Sequence, residues 1–159
     1  MGNYNFSVLS VRLLHRIYIG LMLITRKVEF SASHICRNPR LSEPENRALF
    51  GAAANPHGHG HNYVLEVTVE GTPDPVTGMV LDLKALKDTL NREVVEIYDH
   101  RFLNREVAPF DHVIPTPENI AIDIWNRLQP HLSGPRGRLH GVRIYETPDL
   151  YVDYFGDAA

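Results

Sequence analysis

The sequence predicts an α+β fold: a four-stranded antiparallel sheet with two consecutive helices on one face, in the order β-β-α-α-β-β. Three observations predict it. Residues 25–34 and 59–69 alternate apolar and polar side chains, the period of a strand with one buried face. Residues 82–98 and 116–128 place apolar residues at helical spacing. Residues 138–146 and 150–155 alternate again and close the domain. A chain of 159 residues, 43% hydrophobic and 22% charged, suits one globular domain with its own core.

Composition also excludes partners. A net charge of −3 leaves no basic footprint for nucleic acid. Cys36 is the only cysteine, so no intramolecular disulfide is expected, and a cytoplasmic location is. No stretch approaches the roughly 20 apolar residues of a membrane span.

Residues 1–24 stand apart. Arg12 and Arg16 precede an apolar run from Ile17 to Ile24, superficially a signal peptide. The run is short, no small-residue cleavage site follows it, and the strand pattern starts at Thr25. The stretch is read as an upstream extension, either disordered or a start-site artefact, ahead of a single domain at 25–159.

In the first strand Val28, Phe30, Ala32 and His34 share a face. In the second, His59 and His61 lie beside Tyr63, Leu65, Val67 and Val69, while Glu66, Thr68 and Glu70 look the other way. Antiparallel pairing brings the three imidazoles together at one end of the apolar face, and Gly60 lets another backbone or a ligand come close. Three neutral imidazoles with a fourth position open are the pattern of a catalytic zinc site. A bare His-Gly-His is more often only a polar strand entry; His34, at the matching end of a matching strand, favours the metal.

Between these strands, residues 41–50 form a short helix capped by Ser42 and stopped at Gly51. Arg37, Arg40 and Arg47 make the connection positive, as a solvated face or as a contact for an anionic substrate tail. Gly71 to Pro75 and Thr77-Gly78 are turn residues. Asp82 then caps a helix reaching about Tyr98, with Leu83, Leu86, Leu90, Val94 and Ile97 as its core stripe. The next helix has Thr116 as N-cap and Pro117 in its first turn. Its buried face is Ile120, Ala121, Ile124, Trp125 and Leu128, with Trp125 in the core rather than a ligand platform.

Phe30-Ser31-Ala32-Ser33-His34, the run Asn55-Pro56-His57-Gly58-His59-Gly60-His61-Asn62-Tyr63, Gly78-Met79-Val80, Asp99-His100, Thr116-Pro117-Glu118-Asn119-Ile120-Ala121 and Tyr145-Glu146-Thr147 occur in one order. Together they resemble the 6-pyruvoyl-tetrahydropterin synthase / 6-carboxytetrahydropterin synthase family over about residues 25–155. Met22 falls where members of that family usually start. The resemblance implies the tunnelling fold (T-fold), in which subunits join sheets into a barrel and two trimers stack as a homohexamer. It implies Zn2+ on His34, His59 and His61, and a lyase that converts 7,8-dihydroneopterin triphosphate to 6-pyruvoyl- or 6-carboxy-tetrahydropterin, the latter on the queuosine route. Asp99 and His100 take a proton-relay role, Glu146 anchors the pterin through paired N–H donors, and Thr116 and Glu118 contact substrate. On the residues alone, His100 also suits a helix C-terminus, Glu118 a helix N-terminus and Glu146 a solvated strand end.

One position departs from the family. A cysteine six residues before the first histidine of His-Gly-His serves there as the base; here Ala53 stands in that place, with no titratable group. Cys36 does not occupy the motif position, and His57, Glu43 and Glu45 are the candidate substitutes. The opposing expectation is a non-catalytic pterin- or purine-binding homologue that keeps metal and anchor without the chemistry.

Overall fold

The computed structural model describes residues 20–157; the expected extension, as far as residue 19, lies outside them. β1 (Met22–His34) starts three residues earlier than Thr25, because β2 (His59–Gly71) offers a partner along its whole length. The antiparallel register sets Met22 opposite Gly71, Ala32 opposite His61 and His34 opposite His59. β4 (Gly137–Thr147) and β5 (Leu150–Tyr154) continue the antiparallel pairing.

The sheet has five strands rather than the expected four, in the order β3-β1-β2-β4-β5. The addition, β3 (Arg101–Phe102), runs parallel to β1 beside Ala32 and Ser33, so the sheet is mixed. Two residues carry no readable alternation. Hydrogen bonds to Ser31 hold this segment instead: its N–H donates to Asp99 Oδ1 at 2.8 Å, and its carbonyl accepts from the His100 N–H at 2.6 Å.

α1 (Glu43–Phe50) starts at Ser42 in a capping box with Glu45 and stops at Gly51, whose φ of 58° suits glycine. α2 (Leu83–Leu90) starts at Asp82, whose carboxylate accepts from the Lys84 and Ala85 N–H groups. The helix then continues to Tyr98 as expected, but through a π turn at Asn91–Val95 and α3 (Glu96–Tyr98). A short α4 (Leu103–Glu106) precedes α5 (Pro117–Leu128). Of the expected core stripe, Leu86, Leu90 and Val94 are buried and Ile97 is partly so; Leu83, at the helix start, is 50% exposed. All five residues expected on the inner face of α5 are buried, Trp125 included.

Tyr63, Leu65, Val67 and Ile144 are fully buried against Leu86, Leu90 and the α5 face. Each such side chain contributes about 1.5–3 kcal/mol. β4 bulges at His140, since Leu139 lies opposite Val69 and Gly141 opposite Thr68. The extra residue re-phases the strand, so that Leu139 before it and Val142 and Ile144 after it all reach the core. Glu70, expected to look away from the apolar face, is nevertheless buried: Arg138 and His140 close over its carboxylate. Tyr98 and Arg127 both donate to Asp123, tying the end of α3 to α5 and setting where residues 99–102 begin. Among the described residues no helix is long and apolar enough to cross a membrane.

Candidate metal centre and active site

The site stands where β1 ends and β2 begins, past the last apolar residues of their shared face. Strand parity puts His34, His59 and His61 on that face, and antiparallel pairing puts them at one end of it. A Cβ at Gly60 would lie 3.1 Å from the Ala32 carbonyl, so glycine allows the close approach expected of it. One ligand atom from each of the three histidines lies within 4.8 Å of the others, a gap that small ring movements close around a single ion.

His34 is 1% exposed. Its Nδ1 lies 2.6 Å from the Pro115 carbonyl, which can only accept, so Nδ1 carries the proton and the lone pair is left on Nε2. The buried Tyr63 hydroxyl, 3.3 Å away, donates to that lone pair. Burial drives the pKa of His34 down to about 4, although the Pro115 carbonyl pulls it upward. Burial lowers His59 and His61 as well. His59 Nδ1 and His61 Nε2 are buried without a hydrogen-bond partner. Neutral rings with unpaired nitrogens suit a cation.

Glu146, near the end of β4, brings Oε1 to 3.5 Å from His34 Nε2 and 3.6 Å from His61 Nε2. Its carboxyl is raised above the usual range, first by burial and then by the charge of Glu118. Thr116 caps α5 by accepting from the Asn119 N–H at 3.5 Å. Glu118 is exposed in the first turn of the same helix.

The Ala53 carbonyl accepts from the Cys36 N–H at 2.9 Å, so these two positions are neighbours across the long connection. The Cys36 thiol is buried 3.9 Å from His34 Nδ1, and burial pushes it up to about 11. Of the other candidate bases, Glu43 pairs with Arg37 and Glu45 is bound into its capping box with Ser42. His57 is exposed in the turn before β2.

Asp99 and His100 do not join the cluster. They lie beside β1 next to Ser31, with His100 Nδ1 2.9 Å from Asp99 Oδ2 and the imidazole 82% exposed. The Ser31 N–H holds the Asp99 carboxyl below its usual range. His100 has a φ of 59°, a left-handed conformation that non-glycine residues rarely adopt. The bond from its N–H to Ser31 steadies it there.

Sequence patterns did not point to the Pro115 carbonyl or to the Tyr63 hydroxyl as partners of His34. A backbone carbonyl leaves no mark in a sequence. Tyr63 had only a polar tip on an otherwise apolar face.

A family model described as 6-pyruvoyl tetrahydropterin synthase matches residues 23–157. The 6-pyruvoyl tetrahydrobiopterin synthase of Homo sapiens is 44% identical over 134 residues, covering 84% of this chain and 91% of that protein. The 6-carboxy-5,6,7,8-tetrahydropterin synthase of Rickettsia felis is 29% identical over 145 residues, covering 81% of this chain and 96% of the other. The structure of the Caenorhabditis elegans 6-pyruvoyl tetrahydropterin synthase matches with a TM-score of 0.82 and 38% identity, over 87% of this chain and 98% of that one. Sequence and fold agree: the chain belongs to the 6-pyruvoyl tetrahydropterin synthase family and is a lyase-type enzyme of pterin biosynthesis.

Proposed function

We propose that the chain converts 7,8-dihydroneopterin triphosphate to 6-pyruvoyl-tetrahydropterin with loss of triphosphate, and that His34, His59 and His61 hold zinc. The observation that carries this is the meeting of three neutral imidazoles, two of them with unpaired buried nitrogens, beside the Glu146 carboxylate. Zinc bound there supplies Lewis-acid polarisation of the substrate's side-chain oxygens. The remaining work falls to this chain's own groups. Pro115 keeps the His34 proton on Nδ1. Glu146 takes the paired N–H donors of the pterin edge, which offsets the burial of its carboxylate. Thr116 and Glu118, at the start of α5, contact the substrate. Asp99 holds the Nδ1 proton of His100, leaving Nε2 to accept and return a side-chain proton.

The relay is solvated in one subunit, so we propose that a second copy encloses it. Among the described residues, the outer edge of β1 from Met22 to Ser31 and that of β5 have no strand beside them. Free edges of this kind support sheet joining between subunits, and with it the barrel and the hexamer. Greater identity to a 6-pyruvoyl than to a 6-carboxy relative, and the long connection from 35 to 58, favour the pyruvoyl product.

The test is release of triphosphate, with the product read by mass. Ala53 leaves the proton-abstracting position without a base, so Ala53→Cys is expected to raise turnover by about 10²–10⁴-fold. If His57 already substitutes, His57→Ala abolishes turnover in the Ala53 background instead. An Ala53→Cys protein that binds zinc and pterin yet releases no triphosphate would sink the proposal and leave a pterin-binding homologue.

A further inference from the structure

Asn119 belongs to the motif that opens α5, and neither the metal cluster nor the relay uses it. Its Nδ2 donates to the Ile114 carbonyl at 2.8 Å. The Thr116 N–H donates to the same oxygen, also at 2.8 Å. A bond from residue i+2 back to residue i closes a three-residue turn, here centred on Pro115. Such a turn sends the central carbonyl away from the bonded one, and the Pro115 carbonyl meets His34 Nδ1 at 2.6 Å.

The segment is stiff on both sides. The Pro115 ring restricts its own φ. Thr116, which precedes Pro117, is held extended at φ −76° and ψ 158°. The orientation of His34 therefore depends on a carbonyl that this turn aims, and among the described residues Asn119 supplies the one side chain that grips the turn's closing oxygen.

We propose that Asn119 is a positioning residue for His34: by holding the Ile114 carbonyl it keeps the Pro115 carbonyl on Nδ1 and so keeps Nε2 free to bind a metal. The consequence for the metal rests on the zinc site proposed above; the positioning itself does not. Outer partners of a metal-binding imidazole set its tautomer and ring orientation, and losing one typically weakens metal binding 10–100-fold.

The experiment compares Asn119→Ala with Asn126→Gly, an exposed position that weakens the same helix without touching the turn. Nitrogen-15 NMR of the metal-free proteins at neutral pH reads the His34 tautomer. Wild type and Asn126→Gly are expected to show the Nδ1–H form alone, and Asn119→Ala a mixture with Nε2–H. Zinc titrated against a chelator is expected to bind Asn119→Ala about ten-fold more weakly and Asn126→Gly as wild type. Should Asn119→Ala fail to fold, Asn119→Asp keeps the size, lacks the donor and is read in the same way. A single Nδ1–H tautomer together with wild-type zinc affinity in the Asn119 variant overturns the proposal. Wild-type protein that binds no zinc removes the metal site instead, and the tautomer still decides the role of Asn119.

Discussion

At one end of β1, His34 is 1% exposed and faces two further imidazoles whose buried nitrogens have no partner. Three residues back along the strand, Ser31 holds Asp99, which holds His100, an imidazole 82% exposed. The first region is partly withdrawn from water, and two of its ring nitrogens, on His59 and His61, lack a partner. The second has every partner it needs and remains in water. Buried unpaired nitrogens carry a desolvation penalty of about 1–3 kcal/mol each, which a bound cation removes. The solvated pair carries no such penalty and gains nothing until it is enclosed. A binding centre is thus recognised by what its atoms lack, and a relay by what must still arrive to cover it.

Removing part of the first region gives the largest expected effect. Metal analysis of His59→Ala and of His61→Ala should show the bound zinc lost while the far-ultraviolet dichroism of the fold persists. Full occupancy in both variants would end the assignment of these ligands. The second region should respond in the opposite sense. His100→Ala is expected to lower turnover by about 10²–10⁴-fold with zinc content unchanged. Wild-type turnover, or parallel loss of zinc, would erase the distinction between the two regions.

Acid should destabilise the metal-free cluster through His34. The folded-state pKa of His34 lies at about 4, below the 6.5 of an unfolded chain, so the unfolded state binds the proton more readily in between. Stability is fully present above about pH 6.5 and falls as the pH is lowered towards 4. At 1.36 kcal/mol per pKa unit, the metal-free protein loses about 3 kcal/mol across that window from His34 alone. Urea unfolding measured through this range checks it, and a flat stability between pH 6.5 and 4 contradicts it. The smallest effect is expected at Glu146. Glu146→Gln should weaken pterin binding by roughly 1.5–3 kcal/mol, with zinc retained. Unaltered affinity in a calorimetric titration would remove Glu146 from the substrate pocket.

Much of this is legible in the sequence. Alternation in β1 and β2 marked the faces, and Ser42, Asp82 and Thr116 marked three helix starts, each at its observed position. The histidines could be paired across strands because parity and antiparallel order are enough to bring matched ends together. β3 was missed because two residues show no period. The buried state of Glu70 was missed because burial depends on Arg138 and His140 from another strand, the latter displaced by a bulge. Leu83 kept the helical spacing of the core stripe but lies at the helix start, half exposed.

By itself, the sequence determined which faces are apolar, where the helices start and which three imidazoles end on matched strands. Period, capping and parity are local properties, written in the order of side chains. Only the tertiary structure decided that Pro115, 81 residues from His34, offers it a carbonyl, that Glu146 reaches the same nitrogens, and that Asp99 docks on Ser31. Two of those contacts use backbone groups, which every residue carries alike. Their meaning comes from where the packed sheet and helices bring them, and no residue code records that.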